Sequence, residues 1–340
     1  MKIPGIVDLQ VNGYKGVNFS GSDLTESDFM QACRQYFAAG TTAFLPTVIT
    51  SPEDVYKHNL PIIAKAIKSK EFGSCLLGIH LEGPFISPEE GARGAHNRQW
   101  IRKPDIGFLK NLLEWADGTV RVITIAADAP GAEELAQYAV EQQITVSLGH
   151  HLANQQDLQK LTCAGATALT HLGNGVPAVL PRHNNPIWAA LADDELTAMV
   201  ITDGHHLPAS LIKTIVRAKG PQRCIVVSDA APQAGLPPGK YDMSGTAVIL
   251  QDDEKLHDPT TGYLAGSSAT LLQCMNHLAS LKLLSADELV AMGFYNPLKL
   301  IGLKEFIPAG PSEAVNIVGQ ESNIYFDENR QFFYLEKQKR

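Results

Sequence analysis

Four residues in this 340-residue chain combine reactive chemistry with a suggestive position: Glu82, His150, His171 and Asp229. Each stands at the end of a short apolar run. Glu82 lies in His80-Leu81-Glu82-Gly83-Pro84, where a strand-like segment meets a Gly-Pro turn, while His150 closes ITVSLGH, His171 closes ATALTH and Asp229 closes CIVVSD. One carboxylate and two imidazoles delivered from strand ends make a three-ligand catalytic metal site with one position left open for water. The plainer alternatives are a solvated loop glutamate and satisfied rim histidines. His151 follows His150 directly and should point the other way along an extended chain, so it is the weaker ligand candidate. Asp229 ends an otherwise apolar run, where an ionisable group must be paired, hydrogen-bonded or functional. Beside a metal it can accept a proton as water attacks and later deliver it to a departing amine; a helix N-cap is its ordinary alternative.

These positions are far apart in the chain, so only a fold can gather them. Eight short apolar runs, several rich in β-branched residues, recur at Gly5–Gly13, Thr41–Thr50, Cys75–Gly83, Val120–Asp128, Ile144–His150, Ala166–Asn174, Thr197–Gly204 and Cys224–Ala230. Between them lie amphipathic stretches such as SDFMQACRQYFAAG, DVYKHNLPIIAKAIKS, AEELAQYAVEQQ and QQDLQKLTCAG, several closing on glycine. Strands alternating with helices in this way predict an α/β chain folded as a (β/α)8 barrel. Gln10, Asn12, Glu82, His150, His171, Asp203, His206 and Asp229 all fall at the ends of the runs, and the C-terminal rim of such a barrel is where chemistry is built. The barrel is expected over residues 1–305, with a hairpin-bearing insertion around 232–263 that includes TAVILQDDEKL. Helices should follow in SSATLLQCMNHLASLK and SADELVAMGF. Residues 306–340 carry two strand-like pieces, AVNIVG and NIYFDENRQFFYLE, and read as a short β-rich appendage too small for its own core.

Bulk properties narrow the function. A 44% hydrophobic content over this length supports a large core and excludes a disordered or fibrous chain. The net charge of -8 leaves no basic surface to neutralise a run of phosphates, so nucleic acid is not an expected partner. The first residues lack a cationic stretch followed by an apolar segment, and no run approaches about 18 apolar residues, so a cytoplasmic protein with no membrane partner is expected. Cys33, Cys75, Cys163, Cys224 and Cys274 are scattered and never form a Cys-x-x-Cys pair; buried reduced thiols are expected.

Taken in order, the pieces PGIVDLQVNG, TTAFLPTVIT, HLEGPF followed by GAHN, SLGHH, THLGNGVPAVLPR, ITDGHH, VVSDAAPQAG and LAGSSATL resemble the N-acetylglucosamine-6-phosphate deacetylases of the amidohydrolase superfamily, from Pro4 to about Gly310. The resemblance implies a metal held at Glu82, His150 and His171, a general base at Asp229, and His96, in GAHN, helping to polarise the acetyl carbonyl. It implies contacts to a sugar phosphate from Asn174 and the backbone of Gly175, a substrate contact from His206, and a homodimer in which Arg182 reaches the phosphate bound by the neighbouring subunit. A guanidinium suits that task because its planar fork bonds two oxygens at once. The implied reaction is hydrolysis of the acetamide of N-acetylglucosamine-6-phosphate in amino-sugar catabolism, with one divalent ion per subunit, zinc first and iron, manganese or cobalt also compatible.

Gln10-Val11-Asn12 occupies the place where many amidohydrolases carry His-x-His for a second metal; amides are poor ligands for a zinc-type ion, so a single metal is expected, with Gln10 and Asn12 hydrogen-bonding the rim. Where the family begins with strands of a small β domain, this chain starts its first barrel strand at about Pro4, so that domain is expected to be missing or reduced. Arg182-His183-Asn184-Asn185-Pro186-Ile187-Trp188 replaces a glycine-rich continuation, and His151 stands where a small polar residue is commoner. Rival readings are a deacetylase or deaminase acting on another N-acyl amino sugar or ring amine, and a non-catalytic sugar-phosphate sensor, which would have no use for a base poised beside a metal.

Overall fold

In a computed structural model, which describes residues 1–243, 245–303 and 323–336, eight parallel strands follow one another in chain order around a barrel. They are β1 (Val7–Val11), β2 (Ala43–Ile49), β3 (Ile79–Glu82), β4 (Val120–Ile125), β5 (Thr145–Leu148), β6 (Ala168–Leu169), β7 (Thr197–Ile201) and β8 (Cys224–Val227). All eight expected runs therefore hold a strand. Their parallel register runs from Val7 opposite Ala43 to Val227 opposite Ile201. Both faces are covered, one by the barrel interior and one by helices, which is why the runs are continuously apolar instead of alternating.

Helices α1 (Glu26–Ala38), α2 (Glu53–Ile67), α3 (Ile106–Trp115), α4 (Ala132–Glu141), α5 (Gln155–Cys163), α6 (Pro186–Ala192) and α7 (Ala209–Lys219) join successive strands. In α1 the Thr25 hydroxyl caps the Asp28 N–H, and Phe29, Ala32, Cys33 and Tyr36 share the buried face at helical spacing. Four expected amphipathic stretches became α1, α2, α4 and α5. The short α6 was not foreseen. Its start is nevertheless written in Asn185-Pro186: the Asn185 side chain accepts from the N–H groups of Ile187 and Trp188, and Pro186 sits where a missing N–H costs nothing.

The barrel closes between β8 and β1 in an unusual way. Among the described residues one parallel bridge, Val11 to Ala230, joins them, with the Asn12 N–H donating to the Ala230 carbonyl at 2.8 Å. The rest of the seam is carried by Asp8, fully buried, whose carboxylate accepts from the Tyr36 hydroxyl at 2.7 Å and from the backbone N–H groups of Gln10 and Ser228 at 3.2 Å each.

After β8 the chain makes the expected excursion with its hairpin, β9 (Gly239–Met243) paired antiparallel with β10 (Thr246–Leu250), to which a third strand, β11 (Leu256–His257), is added. Val248, Leu250 and Leu256 pack there with Ala231 and Ala265 in a small separate core, which a third strand is needed to cover. Then come α8 (Leu271–Ser280), α9 (Ala286–Val290), a π-helical turn over Ala291–Tyr295, and α10 (Asn296–Leu300). The expected boundary near residue 305 and the piece AVNIVG lie outside the described residues. The last expected piece is a hairpin, β12 (Ile324–Asp327) with β13 (Phe332–Leu335). It has no core of its own: Phe326 and Phe333 join the barrel's core, Asn276 of α8 clasps the backbone of Phe333, and the Ile3 N–H donates to the Ile324 carbonyl. The five cysteines are free; four are buried as expected, whereas Cys163, at the last turn of α5, is exposed.

Candidate metal centre and active site

Glu82 is the last residue of β3, and His150, His171 and Asp229 follow β5, β6 and β8 by two residues each. The last three adopt left-handed backbone, with φ of 53°, 32° and 52°. Such a conformation costs a non-glycine residue of order 1–3 kcal/mol, and here it turns each side chain off its strand line toward the barrel axis. Thr170, just before His171, bonds into the barrel interior, to Thr124 at 2.7 Å and Ser147 at 2.6 Å.

The turns bring three ligand atoms together. Nε2 of His150 and Nε2 of His171 each lie 3.0 Å from Glu82 Oε1, and 3.0 Å from each other, all within the protein interior. His150 donates its Nδ1–H to the Ala92 carbonyl at 2.8 Å, which leaves Nε2 as a bare lone pair facing a carboxylate oxygen. Two acceptors at that distance repel unless something positive lies between them. A proton on His171 can bridge to its neighbours but leaves the His150–Glu82 contact unbridged, whereas a cation with bonds of about 2.0–2.2 Å to nitrogen and oxygen satisfies all three. The donor set thus fits a divalent metal, and these three are the group among the described residues able to hold one. His151, as expected, is not part of the cluster; its Nδ1 accepts from the Ala153 N–H, and burial pushes its ring down to about 3.

His96 packs edge-on against His150, with ring centroids 4.4 Å apart, and its Nε2 lies 4.0 Å from Glu82 Oε1. Burial, helped by His150, pushes it down to about 3, so it is neutral at pH 7. Its Nδ1 lies 2.9 Å from the Thr50 hydroxyl, whose other acceptor, the Glu82 carbonyl, is at 3.4 Å. The hydroxyl has one proton for two contacts: either His96 Nδ1–H donates to Thr50 and Thr50 to the Glu82 carbonyl, or Thr50 donates to Nδ1 and the ring's own proton sits on Nε2, facing the cluster. Asp229 accepts from Asn12 Nδ2 at 2.7 Å; burial raises its carboxyl to about 6 and Glu82 adds to the rise, while His171, His206 and Asn12 oppose it.

Gln10 and Asn12 do bond the rim, and specifically its two carboxylates: Gln10 Nε2 donates to Glu82 Oε1 at 3.0 Å, as Asn12 does to Asp229. Spacing alone did not show which groups they hold. Thr50 and Ser267 are further contributors to which the sequence assigned no role, and Asp203, read there only as a rim residue, joins them. Gly175 roofs the cluster: a Cβ there would come within 2.9 Å of His150 Nδ1 and 3.2 Å of His171 Cε1, so no larger residue fits. The Asn174 side chain turns back onto the His171 carbonyl at 3.2 Å. His206 is tied through Nδ1 to Asp203 at 2.7 Å and is close enough to Asp229 to affect its charge. Arg182 is not gathered into this cluster. It is exposed, with its carbonyl held by Trp188 Nε1 at 3.0 Å, and no described hydrogen bond or ion pair joins its side chain to the triad.

Residues 1–307 match the model of the amidohydrolase family. The N-acetylglucosamine-6-phosphate deacetylase of Bos taurus is 33% identical over 314 residues, 89% of this chain and 75% of the relative. The N-acetylgalactosamine-6-phosphate deacetylase of Escherichia coli O157:H7 is 27% identical, over 95% of this chain and 84% of the relative. Among solved structures, an N-acetyl-D-glucosamine-6-phosphate deacetylase mutant from Mycobacterium smegmatis, in complex with N-acetyl-D-glucosamine-6-phosphate, superposes with a TM-score of 0.81 at 28% identity, covering 88% of this chain and 78% of that one. With the barrel, the strand-end cluster and these matches in place, the chain belongs to the amidohydrolase family, among its N-acetylglucosamine-6-phosphate deacetylases.

Proposed function

We propose that this protein hydrolyses the acetamide of N-acetylglucosamine-6-phosphate to glucosamine-6-phosphate and acetate, in amino-sugar catabolism. The observation that carries the reading is the meeting of Glu82 Oε1, His150 Nε2 and His171 Nε2 at 3.0 Å, beside an Asp229 raised into the range of a working base. Glu82, His150 and His171 would hold one divalent ion per subunit, zinc being favoured by the mixed nitrogen and oxygen donors. Such an ion, when bound, polarises the acetyl carbonyl and acidifies a water.

The protein's own groups do the rest. Asp229 takes one proton from the attacking water and passes it to the amide nitrogen as the C–N bond breaks, so the amine leaves neutral and the acetyl group leaves as acetic acid, which gives up its remaining proton to solvent to become acetate. His96, neutral at pH 7, serves as donor to the carbonyl oxygen in the tautomer that carries its proton on Nε2, with Thr50 donating to Nδ1; one such donor contributes about 3–4 kcal/mol as negative charge grows on that oxygen. Gln10 and Asn12 aim the two carboxylates, and as amides they make poor ligands for a second ion of this kind. Asn174, the Gly175 backbone and His206 would contact the sugar phosphate, and Arg182, exposed on its loop, would reach the phosphate of a neighbouring subunit in a homodimer. A cytoplasmic setting is supported by five free cysteines and by the lack, among the described residues, of a helix long and apolar enough to cross a membrane.

The test is acetate release by metal-reconstituted protein from N-acetylglucosamine-6-phosphate, beside unphosphorylated N-acetylglucosamine and N-acetylgalactosamine-6-phosphate. Preference for the first substrate, lost in Asp229→Asn with metal content retained, supports the proposal. No release from any of the three by metal-loaded protein refutes it, and preference for the galactosamine epimer replaces the substrate while keeping the mechanism.

A further inference from the structure

The loop after β7 reads Thr202-Asp203-Gly204-His205-His206, and the Asp203 carboxylate has both oxygens engaged. Oδ1 accepts the backbone N–H groups of His205 and His206, each at 2.9 Å, which closes a tight turn. Oδ2 accepts the Nδ1–H of His206 at 2.7 Å and the Ser267 hydroxyl at 2.9 Å. The side chains of Asp203 and His206 are 3% and 6% exposed, so this is an interior ion-dipole cluster and not a surface pair. Burial alone would raise the Asp203 carboxyl, but its bonds to His206 hold it well below the usual range. Ser267 comes from the LAGSS stretch that leads into α8. Its N–H donates to the Asp229 carbonyl at 3.0 Å and its own carbonyl accepts from Ala231 at 2.7 Å. One serine therefore joins the Asp203 carboxylate to the backbone that carries Asp229.

We propose that Asp203, clamped by Ser267, is a positioning residue that fixes His206 as the Nδ1–H tautomer, leaving Nε2 to engage a hydroxyl of the amino-sugar ring beside Asp229. The inference rests on the reaction proposed above, and it adds an atom-level assignment to the histidine. An ionised carboxylate on Nδ1 sets the tautomer of an imidazole, because only the N–H form of that nitrogen can bond to it. The structure also dictates what Asp203→Asn does. The amide oxygen must stay on the two backbone N–H groups, since an NH2 cannot accept them, so the NH2 turns toward His206 Nδ1 and Ser267. A donor then faces Nδ1, and the ring proton moves to Nε2.

The experiment compares wild type, Asp203→Asn and Ser267→Ala in two measurements. Long-range 15N–1H correlation of the histidine rings reads the tautomer with no substrate present, and steady-state acetate release from N-acetylglucosamine-6-phosphate separates KM from kcat. The expected result for Asp203→Asn is a switch of His206 from Nδ1–H to Nε2–H, together with a KM raised about ten- to a hundredfold, the scale of one lost hydrogen bond in a charged cluster. Its kcat should stay within a few-fold, with unchanged metal content and melting temperature. Ser267→Ala keeps the tautomer and raises KM only a few-fold. An unchanged tautomer in Asp203→Asn overturns the proposal, as does a KM that rises only in step with lost metal or lost stability. If the wild type releases no acetate, the reaction fails, and the tautomer measurement still decides the positioning role.

Discussion

Asn12→Leu tests whether Asp229 is the base and whether its amide partner tunes it. Leucine keeps the branched heavy-atom skeleton of asparagine but removes the donor 2.7 Å from Asp229 Oδ1. A hydrogen bond to a charged group is worth about 1.5–3 kcal/mol, and one pKa unit corresponds to about 1.4 kcal/mol. Losing a bond that favours the carboxylate therefore raises the Asp229 pKa by roughly one to two units. The sign follows from the role. The base works only when ionised, so activity is present above its pKa and lost as pH falls through it. Asp229 stands near 6 before any cation acts on it. A bound cation lowers that value in wild type and variant alike, so the difference survives. The assay is kcat for acetate release between about pH 4.5 and 9, at saturating substrate. The acid limb should move up by about one to two units in the variant, with kcat approaching wild type at high pH. An acid limb that stays where it was, with kcat lowered equally at every pH, refutes the reasoning: the titrating group would then not be Asp229, or Asn12 would not hold it.

Other perturbations follow from the same geometry. His150→Ala or His171→Ala should lower metal content, measured by elemental analysis, because two donors cannot replace the three that meet at 3.0 Å; full occupancy would remove them as ligands. Arg182→Ala should raise KM for the phosphorylated substrate about tenfold or more while leaving turnover of unphosphorylated N-acetylglucosamine unchanged, and equal effects on both would argue against a phosphate contact. Asp8, held near 6 by burial against a reference value of 3.8, is stabilising in its protonated form: its contribution is full below about pH 4 and is lost as pH rises through 6. That amounts to roughly 3 kcal/mol, so Asp8→Asn should flatten the fall in unfolding free energy between pH 4 and 7, read by urea titration; an unaltered slope would mean that the seam carboxylate is not the titrating group.

Much of the fold is legible because strand runs end abruptly. In CIVVSD or ITVSLGH, residues that must be buried on both faces give way to one that can be buried only with a partner, and that change marks the rim whatever the neighbours are. The same rule found Glu82, His150, His171 and Asp229 before any contact was known. His96, Gly175 and Arg182 lay beyond it, and these residues as well as the substrate roles of Asn174 and His206 entered through family motifs, since a loop histidine or arginine carries no periodicity that separates ligand from surface residue. The short α6 escaped notice although Asn185-Pro186 announces it, because a seven-residue helix shows too little repetition to stand out.

By itself the chain determined that eight parallel strands would form, that their C-terminal ends would carry two imidazoles and two carboxylates, and that amides would stand where a second metal would need histidines. The first two are properties of local pattern, set by hydrophobic period, turn residues and the cost of burying charge; the third is what the family resemblance implies. Tertiary structure alone decided that Gln10 holds Glu82 and Asn12 holds Asp229, that Asp8 stands in for a ladder at the seam, and that Ser267, far along the chain, links Asp203 to the strand end of Asp229. Each depends on barrel closure, and the second also on the left-handed turn at Asp229; these bring residues up to about two hundred positions apart into hydrogen-bond contact, and no pattern confined to one segment encodes a distance between two.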